Sequence, residues 1–493
     1  MTEGDDELKG IWSGRLLPIM IATQLVMAIV AFDGLAIVAA LPSITGDLGR
    51  VALAPWVISA FLATSAVAGI VAGPVIDAVG VRRTFRVTGV WFLLTSAGAV
   101  VAPSMEALIA IRVAQGMGGG LLVSVVMASV GLSFPHRLRP RAFAATSLVW
   151  GLMGFGGPAV VGLLLTFGGW RFIFGLQVPL TVLALLVGWS ALPSTRDRPE
   201  RVHTDLRGIF LIAGFTVAML IGASQLGVRW GVAIVGVIVA VITGWLYWRY
   251  ADRVDEPVLR RTHLMRFPLN RIHLTVGLIL VAGLSDAYLP LYVQTTRGQS
   301  ASVAAFSVLF VTVGWTSSAF IVSRLLDRWR EVDAILLGAI LIVPSVAAAG
   351  VTVAWDLPLA TVFASFFVMG MAIGFVSTAG LTLLQSSSSD TEMGRVNSAH
   401  QFIRTLGITF SVTVGGAILL TVVDFQVGDV EAVRQVLSGD EVDAGSETLA
   451  AIGDGLTAVM GFAWLMSVGC LWSAWTLRRR MSSLSSDSGL SDG

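Results

Sequence analysis

Two residues of opposite charge sit inside apolar runs of this sequence at matching distances from a turn. Asp33 precedes Pro42 in the run that starts at Leu16, and Arg112 follows Met105 in another. If both runs are helical and both turns face the same side, the two charges lie at one depth, roughly 10–14 Å below a surface. An arginine in hydrocarbon costs at least ~2.5–3.5 kcal/mol on insertion scales, so it needs a partner or a water-filled cavity. A structural arginine bonded to carbonyls is the other reading. An acid and an arginine at one depth can neutralise each other or exchange partners, which is the chemistry of binding and releasing a proton. Asp286 stands at a similar level in a later run, before Thr295, where it can carry a second proton or attract a cation; contact with a cationic ligand is favoured. Arg404 enters its run from the opposite side, beyond Arg395, and reads as inner-half architecture.

Elements that hold charges at such depths must cross a membrane. Charged residues make up 13% of the 493 positions and hydrophobic ones 55%, with mean hydropathy +0.83, whereas a soluble chain carries about 25% charged residues. Apolar runs near the ~20 residues that cross a bilayer recur along the whole chain. The alternating segments of about 10 residues that build a β-barrel are absent. Spans are expected near 16–42, 53–76, 87–104, 105–134, 142–167, 170–193, 208–227, 230–248, 272–295, 302–323, 333–354, 357–385, 396–423 and 449–477. The fold class is an all-α polytopic membrane protein of about fourteen helices. Its expected parts are an N-terminal tail (1–15), a six-helix bundle (16–193), a linker with two inserted helices (194–271), a second six-helix bundle (272–477) and a disordered tail (478–493). Asp33 and Asp77 recur in the second half as Asp286 and Asp327 at nearly the same spacing, as a duplication around a midplane site would leave them.

Basic residues cluster in alternate loops: Arg82, Arg83 and Arg86; Arg137, Arg139 and Arg141; Arg196 to Arg207; Arg249 to Arg271; Arg324, Arg328 and Arg330; Arg395. Positive loops stay cytoplasmic, so both termini are expected there, in a bacterial inner membrane. The acidic loop 424–447 then lies outside, as a solvated loop or as a cation attractor. The acidic start (Glu3, Asp5, Asp6, Glu7) and the length of the first run argue for an uncleaved first span.

Four short patterns fall between or within these spans. G-P-V-I-D-A-V-G-V-R-R runs from Gly73 through Asp77 and Gly80 to Arg82 and Arg83; its aspartate can cap the following helix. R-V-A-Q-G-M-G-G-G begins at Arg112, contains Gln115, and pairs Gly116 with Gly120 as a close-packing G-x-x-x-G. G-L-M-G-F-G-G-P-A-V-V-G places Gly157 and Pro158 in one span, where a helix can bend. F-D-G-L-A-I-V-A-A-L-P surrounds Asp33. Together with W-R-F-I-F-G-L-Q-V-P from Trp170, Y-L-P-L-Y-V-Q from Tyr288 and G-R-V-N-S-A-H-Q-F-I-R-T-L-G from Gly394, the chain resembles the fourteen-span drug:proton antiporter branch of the major facilitator superfamily. It departs from the pattern at Ala78, where an arginine is usual, at Met153 and Val161 in place of glycines, and at Leu35 and Val38, which make one cavity wall more apolar.

The resemblance implies two six-helix bundles plus the inserted pair, working as a proton-coupled exporter of lipophilic or cationic small molecules. It implies proton coupling through Asp33 and Arg112, and a substrate cavity with Asp286, Gln115, Tyr288 and Tyr292. Gating falls to Gly73, Asp77, Gly80, Arg82, Arg83, Gly157, Pro158, Asp327, Arg328 and Arg404. Partners are the bilayer, protons and the substrate; no cofactor, metal or nucleic acid is expected, and the chain is expected to act as a monomer. Export of lipid or another apolar metabolite is the alternative substrate reading, and a transporter-like sensor or intramembrane enzyme the alternative class. Enzyme signatures fail on context: the G-x-S-x-G at Gly489–Gly493 ends the polar tail, and the glycine fingerprint at Gly154–Ala159 has no strand before it. The net charge of +1 argues for no acidic partner, the single Cys470 allows no internal disulfide, and His400 reads as a packing residue.

Overall fold

The computed structural model describes residues 10–50, 53–194, 205–225, 229–283, 288–427 and 446–488. Asp286, most of the acidic loop, most of the linker before Leu206 and the segment 489–493 fall outside the described residues. Fourteen long helices are described: α1 (Leu16–Leu48), α2 (Ala54–Val79), α3 (Val81–Val100), α4 (Met105–Ser133), α5 (Arg139–Gly168), α6 (Arg171–Ala191), α7 (Leu206–Ser224), α8 (Trp230–Ala251), α9 (Leu269–Gly283), α10 (Ala301–Leu325), α11 (Glu331–Ala354), α12 (Leu359–Ser386), α13 (Met393–Val427) and α14 (Ser446–Ser488). Among the described residues nine helical segments are long and apolar enough to cross a membrane by length and composition, and three shorter apolar helices accompany them.

Local sequence sets the ends. Proline sits in the first turn of α2 and α5, where its missing N–H costs nothing. The Ser104 hydroxyl caps α4 by accepting from Ala107 N at 3.2 Å. Gly49, Gly80 and Gly169 end α1, α2 and α5 at positive φ, which an L side chain resists.

Three expectations are corrected. α1 runs past Pro42 to Leu48 and stops only at Gly49. The ninth span, expected as a plain helix to Thr295, closes differently: α9 is described as far as Gly283, and from Leu289 the chain forms a short turn, Leu289–Leu291, and a π turn, Tyr292–Thr296. Pro290 in that turn lacks the N–H that a continuous helix would use. The polar tail is helical as far as Ser488, because no glycine or proline interrupts it earlier and Arg478 Nε holds Asp333 Oδ1 at 2.6 Å.

Two compact units emerge. The first holds Met1–Thr216, Thr243–Leu264 and Gln385–Phe402; the second holds Val217–Ile242, Met265–Leu384 and Ile403–Gly493. Within each, glycine brings two corresponding helices close together. In the first unit a Cβ on Gly116 would strike the Phe61 carbonyl oxygen of α2, and one on Gly120 the Ser65 carbonyl oxygen. In the second unit Gly370 and Gly374 of α12 meet Val311 and Trp315 of α10 in the same way, and Gly314 returns the contact to Phe367. Both pairs are the second and fourth helices of a group of six, and both use G-x-x-x-G. Interhelical van der Waals contact is what holds helices together in lipid, so these approaches matter to stability.

Gly120→Ala and Gly370→Ala should each cost about 1–3 kcal/mol by overpacking and lower the melting temperature of the detergent-solubilised protein. Gly461→Ala, where a Cβ meets nothing within 4 Å, should leave it unchanged or slightly raised. Identical melting curves for all three variants would contradict the close approach.

Candidate functional site

The first unit encloses a polar layer between two apolar clusters. One cluster contains Phe32, Ile37, Val57, Leu108 and Phe174; the other contains Val26, Phe61, Phe92, Leu122 and Val125. Between them, five helices each place a polar group: Asp33 from α1, the Val57 carbonyl from α2, Ser96 from α3, Arg112 and Gln115 from α4, and Gln177 from α6. Every one of these side chains is buried, Asp33 at 0% and Arg112 at 1% exposure.

Arg112 Nη1 donates to Asp33 Oδ1 at 2.8 Å, to Asp33 Oδ2 at 2.9 Å and to Gln115 Oε1 at 2.8 Å. Its Nε donates to the Val57 carbonyl at 3.0 Å. The guanidinium lies over the Phe61 ring, 4.2 Å from its centroid, where the π face stabilises a cation. Gln177 Nε2 donates to Asp33 Oδ1 at 2.7 Å, and Gln115 Nε2 donates to Gln177 Oε1 at 2.8 Å and to Ser96 Oγ at 2.9 Å. The Ser96 hydroxyl donates to Gln177 Oε1 at 3.1 Å. Both readings of Arg112 are therefore realised at once, an acid partner and a carbonyl. Gln115, expected in a substrate cavity, is part of this network.

Gln177 and Ser96 were not singled out from sequence. Gln177 stands inside the W-R-F-I-F-G-L-Q-V-P segment, and a buried amide in an apolar span is itself a signal. Ser96 carries no such signal, because a serine in a membrane helix can bond its own backbone. The start of the same segment is a clamp: Trp170 Nε1 donates to Asp47 Oδ2 at 3.1 Å and Arg171 pairs with that carboxylate. These bonds, Arg171 first, hold the Asp47 carboxyl below its ordinary range.

Contrary to expectation, Asp77 does not cap α3; Gly80 occupies that position without a side-chain bond. Asp77 instead accepts from the Gly394 N–H at 2.9 Å and the Arg395 N–H at 3.2 Å, in the first turn of α13, with the Arg395 guanidinium 3.7 Å away. A carboxylate suits the free N–H groups and positive dipole of a helix start. Gly73 allows the approach, since a Cβ there would sit 2.7 Å from Arg395 Cα. Arg395 also reaches Glu256 at 3.7 Å, and His263 Nε2 lies 3.4 Å from Glu392. Burial lowers the affinity of His263 for a proton, which Glu392 partly restores.

Arg82 Nε donates to the Leu192 carbonyl at 2.6 Å and Arg86 Nε to the Trp189 carbonyl at 2.8 Å, satisfying carbonyls at the end of α6. Arg83 is exposed, as are Asp327 and Arg328 in the turn after α10. Gly157 is buried in α5, where Pro158 also lies, and Arg404 is half-buried in α13. In the second unit Tyr292 is buried and its hydroxyl accepts from Arg297 Nη1 at 3.3 Å. The Tyr288 ring packs on Gly415, where a Cβ would come within 2.7 Å of it.

A sequence profile described as Major Facilitator Superfamily matches residues 24–207 and 206–412. A multidrug transporter protein of Bacillus subtilis is 26% identical over 420 residues, 81% of this chain and 75% of the relative. A probable multidrug-efflux transporter of Mycobacterium tuberculosis is 27% identical over 473 residues, 92% of this chain and 98% of the relative. Among solved structures, a proton:xylose symporter of the superfamily aligns with TM-score 0.57 at 13% identity, covering 91% of this chain and 94% of that one, a likeness of fold alone. The chain is a multi-pass membrane transporter and belongs to the Major Facilitator Superfamily.

Proposed function

We propose that this transporter exports lipophilic or cationic small molecules in exchange for protons, by exposing a binding cavity alternately to the two membrane faces. It works in a bacterial cytoplasmic membrane with both termini inside, as the distribution of arginines favours. Support for the substrate class comes from the two relatives, whose names describe multidrug transport or efflux. The observation that carries the coupling reading is the dry Asp33–Arg112 pair.

Breaking such a pair without compensation costs about 3–5 kcal/mol, because a lone ion stays buried. When Arg112 leaves Asp33, the carboxylate must therefore take a proton or reach water. When Arg112 returns, it competes for the charge and the proton leaves. Gln177 and Gln115 keep the acid and the guanidinium bonded during the exchange. Gly73 and Asp77, holding the first turn of α13, act as a gating contact that must release when that end opens; Gly80, Arg82 and Arg83 shape the adjoining turn. Gly157 and Pro158 lend α5 its bend, Asp327 and Arg328 mark the equivalent turn of the second half, and Arg404 lines the inner part of α13. α7 and α8 lie outside the route: α8 shows exposed Val232, Ile234, Val235, Val241 and Trp245, a surface suited to lipid rather than to a polar path.

Asp33→Asn should abolish uphill export in everted vesicles while the protein still folds and inserts. Proton-driven export at the wild-type rate by that variant would sink the coupling assignment. A panel of lipophilic cations and labelled lipids in the same vesicles separates drug export from lipid export.

Asp286 is proposed to contact cationic substrate, with Tyr288 and Tyr292 nearby in sequence. Asp286→Asn should then impair export of cations several-fold and spare neutral compounds. Equal loss for both classes would instead make Asp286 a second proton carrier.

A further inference from the structure

We propose that the cavity at the foot of the inserted hairpin binds an anionic phospholipid, with part of one acyl chain inside it and the headgroup phosphate at Arg261. The cavity has a volume of about 160 Å³ and lies entirely within the first compact unit. Ile212 and Phe215 of α7, Tyr247 and Trp248 of α8 and Phe402 of α13 form its walls, Phe215 meeting Phe402 edge-on at 6.2 Å. A small-molecule site usually needs ~300–1,000 Å³, so a transported drug does not fit, whereas an apolar cavity of ~150 Å³ readily holds a small hydrocarbon.

Polar atoms around the cavity are committed to one another. The Tyr247 hydroxyl donates to the Leu259 carbonyl and accepts from the Leu259 N–H, both at 2.8 Å. Asp205 accepts from Gly208 N at 2.8 Å, from the Tyr250 hydroxyl at 2.6 Å and from Val258 N at 3.2 Å. These bonds fix the start of α7, the end of α8 and the turns and bends that follow it, so the cavity is preformed and offers carbon to its occupant.

Among the described residues, its one charged lining residue is a cation. Arg261 is exposed and stacks on Trp248, 4.9 Å from the ring centroid. Asp252 lies 3.3 Å from it, an exposed pair of small worth that occupies one of five N–H donors. The neighbouring Arg260 has a buried Nε with no acceptor, while its Nη2 donates to the Asp255 carbonyl at 3.2 Å and lies 3.9 Å from Glu256. Arg249 stacks on Trp245, and Arg253 follows at the end of α8. The stretch W-L-Y-W-R-Y from Trp245 to Tyr250 has the composition of an interfacial aromatic belt. A cavity lined by carbon, opening at belt level beside several arginines, matches a lipid with an anionic headgroup; basic pockets between membrane helices take such headgroups. Free phosphate would leave the apolar walls without an occupant. This site is separate from the Asp33 network and stands whether or not protons drive export.

The test uses the delipidated, full-length protein in detergent. Native mass spectrometry should show saturable retention of phosphatidylglycerol over phosphatidylcholine. Arg261→Gln should weaken phosphatidylglycerol binding about fivefold, the value of one cation at an anionic membrane surface (~1 kcal/mol), and leave phosphatidylcholine unchanged. Phosphatidylglycerol with brominated acyl chains should quench a tryptophan signal that is lost in Trp248→Phe, and Ala251→Phe, which fills the cavity, should lose the same quenching. Equal retention of the two lipids by the wild type, or wild-type binding by Arg261→Gln, overturns the proposal. So does displacement of the lipid by millimolar inorganic phosphate. If Ala251→Phe fails to fold, the Arg261→Gln and Trp248→Phe comparisons decide alone.

Discussion

An aspartate and an arginine buried together inside hydrocarbon-facing helices are the constraint on which the first unit depends. Either ion left there alone costs about 3–5 kcal/mol, because lipid offers it no solvation and only neighbouring dipoles and a ring reduce the penalty. The pair is therefore bound from several directions: Gln177 on the acid, Gln115, the Val57 carbonyl and the Phe61 ring on the guanidinium. Those contacts in turn demand that α2 and α4 lie very close, and Gly116 and Gly120 permit it. A bulkier residue at Gly116 would push Phe61 and its turn away from Arg112. Glycines and charges in α4 thus solve one problem together.

The general fold is legible in the sequence because lipid imposes simple requirements: length, apolarity and arginines at alternate ends. The errors cluster where hydropathy is silent. Pro42 reads as an end, yet α1 continues to Leu48, because an apolar helix in lipid can absorb a proline while its neighbours hold it. The serine-rich tail reads as disorder, yet nothing in it breaks a helix before Gly489, and α14 continues to Ser488. The second G-x-x-x-G, Gly370 to Gly374, is visible once the first is used as a template, and its partner in α10 occupies the equivalent place.

The site is legible only in part. Asp33 and Arg112 can be paired by depth, because each is a charge that must find another. Gln177 and Ser96 cannot: an amide in an apolar span signals a polar site without naming its partner, and a serine can bond its own helix backbone. The partner of Asp77 was out of reach for a different reason. Sequence shows an acid before a helix and suggests a local cap, whereas the N–H groups it binds belong to Gly394 and Arg395, more than half the chain away. Backbone donors carry no residue signature.

The measurement that bears most directly on the Asp33–Arg112 pair as the coupling element is proton release on substrate binding. Purified protein in weakly buffered detergent is mixed with a lipophilic cation while a pH indicator follows the bulk solution. The coupling account predicts that the wild type releases protons in proportion to bound substrate and that Asp33→Asn releases none while still binding it. Substrate-dependent release of the same size from Asp33→Asn would contradict the account.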